Sequence, residues 1–272
     1  MKDRLAALLL AAIAAIAAPV ATDAADDNRR VSQCLAMADM PARVQLAAYS
    51  PASLAAGEVA ITYVTHSTYR IESSDGIVAA TDFAGVAGQG KVPDVVTMNH
   101  AHATHFTYSP DPAIKHVLRG WNPKGGPAKH HLELGEFLIR NVTTDIHNFV
   151  GDLEPDGNSI FIFEVAGLCI GHLGHLHHHL TPQHYAKIGR LDVVMVPVDG
   201  TYTMSQAGMI ALLKRVRASV ILPMHAFGPN TMARFLAEMG KTFQVDFVEA
   251  SSITLSLNAL PARPTVKVLR GY

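Results

Sequence analysis

Cysteine and tryptophan are scarce: the 272-residue chain holds two Cys and a single Trp. Two cysteines allow at most one disulfide. Cys34 and Cys169 could form it in an oxidising compartment, and a buried free thiol is an equally good reading of Cys169 in the apolar stretch "GLCIGH". An excess of charge of either sign is also lacking, since 22 Lys and Arg stand against 23 Asp and Glu for a formal net charge of −1. No basic patch or stripe gives an electrostatic basis for binding nucleic acid or an anionic membrane. Past the first two dozen residues there is no internal repeat, no low-complexity tract and no shift of composition to mark a domain boundary. A hydrophobic content of 49% with 17% charged residues is instead that of a globular protein with a substantial core.

The long apolar run that does occur lies at the start. "MKDR" supplies a short positive head, "LAALLLAAIAAIAAP" is uninterrupted, and "ATDA" offers small residues for a signal-peptidase cut. The run to Pro19 falls short of the roughly 20 residues a spanning helix needs. Residues 1–24 therefore read as a secretory signal, with the mature chain starting near Ala25 in a periplasm or outside the cell and with no membrane contact after cleavage. Residues 25–58 carry no clear pattern, and residues 59–272 read as one domain.

From Val59 onward β-rich runs alternate with turn signals, beginning with "VAITYVTH", "TYRIES", the turn "SDG" and "IVAATDF". Helices then separate later strands. "TPQHYAKIG" has Thr181 as cap, Pro182 at the first position and Gly189 as stop. In "TYTMSQAGMIALLKRVRAS" Thr203 and Gln206 match a capping box, and in "NTMARFLAEMG" Asn230 or Thr231 is the expected cap. The methionines of both segments fall on apolar faces and read as core. Strands first, then strands alternating with helices, imply layers of sheet covered by helix.

Histidine is what the chain has in abundance, with 15 residues. "NHAHATH" places His100, His102 and His105 behind the strand "DVVTM", and in an extended loop His100 and His102 would point the same way. His147, His172, His175 and His225 each close a further predicted strand, where chain ends converge. Imidazoles at several independent strand ends are hard to explain as packing, because a buried imidazole needs its own partners, whereas zinc is bound by imidazole nitrogen. His116, His130, His131, His177, His179 and His184 read as solvated surface.

These residues give the chain a resemblance to the metallo-β-lactamase superfamily, and within it to the ascorbate-6-phosphate lactonase-like hydrolases. "THSTYRIESSDGIVAATDF" is similar to the family's first-strand block, and "HAHATH" falls on its His-x-His-x-Asp-His signature. "TTDIHNF", "HLGHLHHHLT", "PVDGTYT" and "PMHAF" follow in order, so the resemblance runs from about Val59 to Phe227. It implies an α/β fold, the metallo-β-lactamase-like αββα sandwich. It also implies one metal on His100, His102 and His147, a second on position 104, His105 and His225, and position 175 bridging the two. Asp82, His66, His172 and His178 would support these ligands from behind.

The chain departs from that pattern at two places: the family's aspartates at 104 and 175 are Thr104 and His175 here. Two cations a few ångströms apart repel, and the carboxylates that offset this are gone. One zinc ion rather than two is expected, and an all-nitrogen site also suits copper or nickel. Thr104 can position water but cannot take its proton, and His175 can join a tri-histidine set. The acidic run "GDLEPDG" offers replacement bases but reads first as a solvated turn. The functional expectation is an exported metallo-hydrolase in which metal-bound hydroxide attacks a carbonyl (lactone or amide) or phosphoester of a small molecule. The alternatives are a non-hydrolytic metal- or ligand-binding protein on the same scaffold and a copper-type redox site.

Overall fold

A computed structural model describes residues 29–35, 54–147 and 151–271. The expected signal and most of the 25–58 segment lie outside these residues. Fourteen strands and three α-helices are found among the described residues. One sheet has the order β13-β1-β2-β3-β4-β5, with β1 Glu58–Thr65, β2 Thr68–Ser73, β3 Val78–Ala80, β4 Val95–Met98, β5 His116–Arg119 and β13 Ser252–Ser256. The other has the order β12-β14-β11-β10-β9-β8-β7-β6. Its strands are β6 His131–Leu134, β7 Phe137–His147, β8 Leu153–Val165, β9 Leu168–His172, β10 Val193–Pro197, β11 Val220–Met224, β12 Gln244–Val248 and β14 Thr265–Leu269.

Alternation along the strands decides the layering. In β10, Val193 and Met195 face a core shared with Val59, Ile61 and Tyr69 of the first sheet, while Val194 and Val196 face the helices. Both faces of such a strand are buried, so it reads as a continuous apolar run. Helices α1 (Pro182–Ile188), α2 (Gln206–Val216) and α3 (Pro229–Met239) cover that outer face through Ile188, Met209, Leu212, Met232, Phe235 and Met239. On the far side of the six-stranded sheet, the described cover comes from Phe83, Ile114, Phe106 and Trp121, which lie in loops. The fold is α/β with two packed sheets, as expected.

The helix ends show where local signals were overridden. Thr181 caps α1 and His184 answers it, its Nδ1 accepting from the Thr181 N–H at 3.1 Å, so this histidine is part of a capping box and not idle surface. In α2 the cap is Ser205, accepting from the Gly208 N–H; the expected Thr203 instead donates its hydroxyl to Asp199. Helix α3 starts two to three residues earlier than expected, with Pro229 at its first position and Gly228 (φ 87°) as cap, which leaves Asn230 and Thr231 inside the first turn.

Cys34 and Cys169 are joined by a disulfide, so Cys169 is not a free thiol. Glu164 accepts from the Gln33 and Cys34 N–H groups and from Arg140 Nε at 2.8–3.3 Å, and also from the Ser32 hydroxyl. Residues 32–35 are thereby fastened to β8 and β9, so packed structure begins before residue 59.

Candidate metal centre

The carboxyl ends of β4, β9, β10 and β11 and the β1–β2 turn meet at one edge of the two sheets. One nitrogen from each of His66, His102, His105 and His225 lies within 4.8 Å of every other. His175 stands edge-on to His102, His105 and His225, with ring centroids 4.8–5.0 Å away. The Nε2 atoms of His66, His105 and His175 are buried and have no hydrogen-bond partner in the protein. A buried polar atom without a partner is costly. Three of them converging in one place fit a cation that takes up their lone pairs.

The other ring nitrogens are held from outside. Asp82 Oδ2 accepts from His105 Nδ1 at 2.7 Å, and Asp199 Oδ1 accepts from His225 Nδ1 at 3.0 Å. An ionised carboxylate can only accept, so each Nδ1 carries the proton and each Nε2 presents its lone pair. Burial works to raise the Asp82 pKa, but His172, His105 and the Asn99 amide outweigh it and hold the group below the usual range. Burial of Asp199 is likewise outweighed, by hydrogen bonds from His225, Thr203 and the Thr201 N–H. Thr104 Oγ1 is 2.8 Å from His102 Nδ1, and His102 Nε2 is 3.4 Å from His225 Nε2. A carboxylate or hydroxyl behind His102, His105 and His225 is the arrangement that orients metal ligands.

Burial lowers the pKa of His66 to about 3, with the His225, His105 and His102 rings adding to the effect. Burial followed by His105 and His225 takes His102 to about 4. His175 is pushed down by burial and then by His105 and His225. These rings stay neutral at physiological pH, as ligands must. His66 (φ 43°), Asp82 (φ 41°) and His225 (φ 55°) sit in the left-handed backbone region. Such conformations cost about 1–3 kcal/mol each and persist where surroundings over-determine them. Here the His225 N–H donates to the His66 carbonyl at 2.9 Å, and Thr68 Oγ1 donates to the Asp82 carbonyl at 3.0 Å.

Several expected residues are placed elsewhere. Residues 102–105 form a tight turn, with the His105 N–H on the His102 carbonyl, so the alternation of an extended loop does not apply. His100 turns away from the four rings, stacks on Trp121 at 4.9 Å and meets Glu154 Oε1 through Nδ1 at 2.5 Å. Glu154 belongs to β8 and not to a solvated turn. His147 is exposed, its Nδ1 3.1 Å from the Gly151 carbonyl, and its ring neighbours are His177 and His178. His66, expected behind the ligands, is within the group of four. His172 braces the site: its Nε2 donates to the Ser67 carbonyl at 2.8 Å and its Nδ1 accepts from the Gly174 N–H. His178, expected as support, has a buried, partnerless Nε2.

Three supporting residues escaped the sequence reading. Asp199 is a carboxylate at the end of β10 that was open to view in "PVDGTYT". Asn99 donates to Asp82 Oδ1 at 2.7 Å and accepts from the Ser159 N–H, and Asn158 Oδ1 accepts from the His175 N–H at 2.8 Å. Nothing in the spacing of the asparagines marks them.

Fold and site together define a two-sheet scaffold with an imidazole-lined centre at its edge. Residues 60–225 match the beta-lactamase superfamily domain, and the chain belongs to that superfamily. It is similar to a metal-dependent hydrolase of Methanoculleus marisnigri, 24% identical over 200 residues that cover 68% of this chain and 88% of the relative. A second metal-dependent hydrolase, of Methanosphaerula palustris, is 28% identical over 151 residues, covering 50% and 69%. Among solved structures, a protein from Thermotoga maritima described as a Zn-dependent hydrolase of the metallo-β-lactamase superfamily is 26% identical. It superposes with a TM-score of 0.57 over 78% of this chain and 98% of its own.

Proposed function

We propose that the protein is an exported metal-dependent hydrolase of small molecules whose metal is held by imidazoles alone. The observation that carries this reading is the convergence of His66, His102, His105 and His225, with the partnerless buried Nε2 atoms of His66 and His105 among them and Asp82 and Asp199 behind His105 and His225. The relatives described as metal-dependent hydrolases support it. His102, His105 and His225 each have their second nitrogen held, and three such ligands suit a catalytic zinc site with an open position. Held by His102, His105 and His225, a zinc ion would supply Lewis-acid activation of water and of the substrate oxygen.

The chain's own groups do the rest. Asp82 and Asp199 fix two ligand tautomers. Thr104 is tied to His102 Nδ1 and acts as a positioning residue, with no capacity to take a proton. His175 Nδ1 lies 2.8 Å from His177 Nε2, so the two rings can share a proton. The Cys34–Cys169 bridge supports a periplasmic or secreted setting, where disulfides persist.

Metal content of the untagged full-length chain, measured alongside turnover of lactone, ester and phosphoester panels, tests the function. Bound zinc with turnover abolished in His102→Ala supports it; full metal occupancy with no turnover on any substrate contradicts it. N-terminal sequencing of the fractionated protein tests export, with a start near Ala25 expected and an intact Met1 in the cytoplasm contrary.

A further inference from the structure

Two aromatic rings are left in solvent at the rim of the centre. Phe227 packs edge-on to His225 with centroids 5.0 Å apart and lies 5.6 Å from His66, and Tyr202 meets Phe227 at 5.4 Å. Tyr202 is 63% exposed and Phe227 49%. Exposed apolar rings scattered singly need no explanation, but a joined pair against two candidate ligands marks a binding surface.

The pair is also held in place. The carboxylate of Asp199 that orients His225 accepts from the N–H groups of Thr201, Tyr202 and Thr203 at 2.9, 2.6 and 3.2 Å. The loop carrying Tyr202 is therefore locked to the ligand that Phe227 flanks, and a wall that does not need to be ordered on binding loses less affinity.

Charge narrows what the wall can meet. Among the described residues, the side chains in ring contact or hydrogen-bonded with His66, His102, His175 and His177 are other histidines, Thr104 and Phe227, with no lysine or arginine among them. Beyond the metal ion itself, recognition of a phosphate dianion draws on Arg, Lys or a helix N-terminus. At the start of α3, beside Phe227, Pro229 takes away one of the N–H groups an anion would use, while no side chain caps the others.

We propose that Tyr202 and Phe227 set substrate specificity, and that the substrate is an uncharged ester or lactone of a carboxylic acid whose aryl or alkyl group packs on these two rings. This rests on the hydrolase reading above. It adds the substrate class and the residues that select it.

The test pairs binding with turnover on the zinc-loaded full-length protein. Calorimetric titration with acetophenone, butyrophenone and hexanophenone, ketones that no hydrolase can cleave, should show affinity rising about threefold per added methylene. Phe227→Ala and Tyr202→Ala, both truncations of exposed rings, should each flatten that trend and weaken hexanophenone about tenfold. With p-nitrophenyl hexanoate the loss should fall mainly on KM, and bis(p-nitrophenyl) phosphate should be the poorer substrate of wild type. Ketone affinity that ignores chain length, ignores both substitutions, or a phosphodiester turned over faster than the ester overturns the proposal. Should nothing be hydrolysed while hexanophenone binding still depends on both rings, the wall stands and the hydrolase reading falls. Ester turnover with ring-independent ketone binding has the opposite meaning.

Discussion

Asp199 is the residue on which most of the site converges, since one carboxylate orients His225 and clamps the loop that carries Tyr202. Asp199→Asn keeps the shape but turns an acceptor-only group into one that can also donate, so the His225 tautomer is no longer fixed. Zinc affinity is expected to fall about 10- to 100-fold, as for other residues behind metal ligands; competition with a chromophoric chelator measures it. The imidazoles make a pH prediction as well. His66 and His102 titrate at about 3 and about 4 in the folded chain against 6.5 when unfolded. Below pH 6.5 the unfolded chain takes up protons that the folded chain does not, so the stability of the metal-free protein declines as pH falls from there toward about 4. Urea midpoints of the metal-free protein between pH 7.5 and 4.5 show this as a steady downward drift. At this scale the sequence was informative where a residue type is rare in cores, as with histidines at strand ends. It was silent about direction. Whether His100 or His66 turns toward the centre depends on the turn at 102–105 and on the stacking surface of Trp121, which is distant in sequence.

At the scale of elements, the stretch from β9 to His175 shows how backbone geometry aims a side chain. Gly174 has φ 59°, and a Cβ there would lie 2.3 Å from Asn158 Oδ1 and 2.5 Å from Asn99 Nδ2. Only glycine lets the chain pass between the asparagines that hold Asp82 and His175. Gly174→Ala is expected to destabilise the fold by about 2–4 kcal/mol, through backbone strain and displaced buried hydrogen bonds; thermal or urea unfolding checks it. Element existence was legible for the apolar runs of β10 and β11 and for α1, because burial on both sheet faces and a complete capping set leave strong patterns. The starts of α2 and α3 were not, because Thr203 is drawn to Asp199 and Pro229 with Gly228 begins a turn that the Asn230–Thr231 pair obscures.

Across the whole molecule, the two sheets bury a common core and the helices close one outer face, so the site depends on strand ends brought together from residues 66 to 225. The disulfide adds a long-range tie between Cys34 and Cys169, which are 135 positions apart in the sequence. Closing so long a loop removes unfolded-state freedom, and Cys34→Ser is expected to cost about 2–5 kcal/mol; the same loss should appear in wild type on reduction and nowhere in the variant. The fold as a whole was readable because its motif blocks occur in order along the chain. The grouping of ligands was not, since the expected positions 100 and 147 face Trp121 and the His177–His178 pair respectively.

That regrouping is the central claim, and zinc titration of single alanine variants of the metal-free protein tests it directly. His102→Ala, His105→Ala and His225→Ala should each lose tenfold or more in zinc affinity, a level set by the loss of a held ligand, while His100→Ala and His147→Ala should bind as wild type does. Zinc retained in the first three variants and lost in the last two would contradict it.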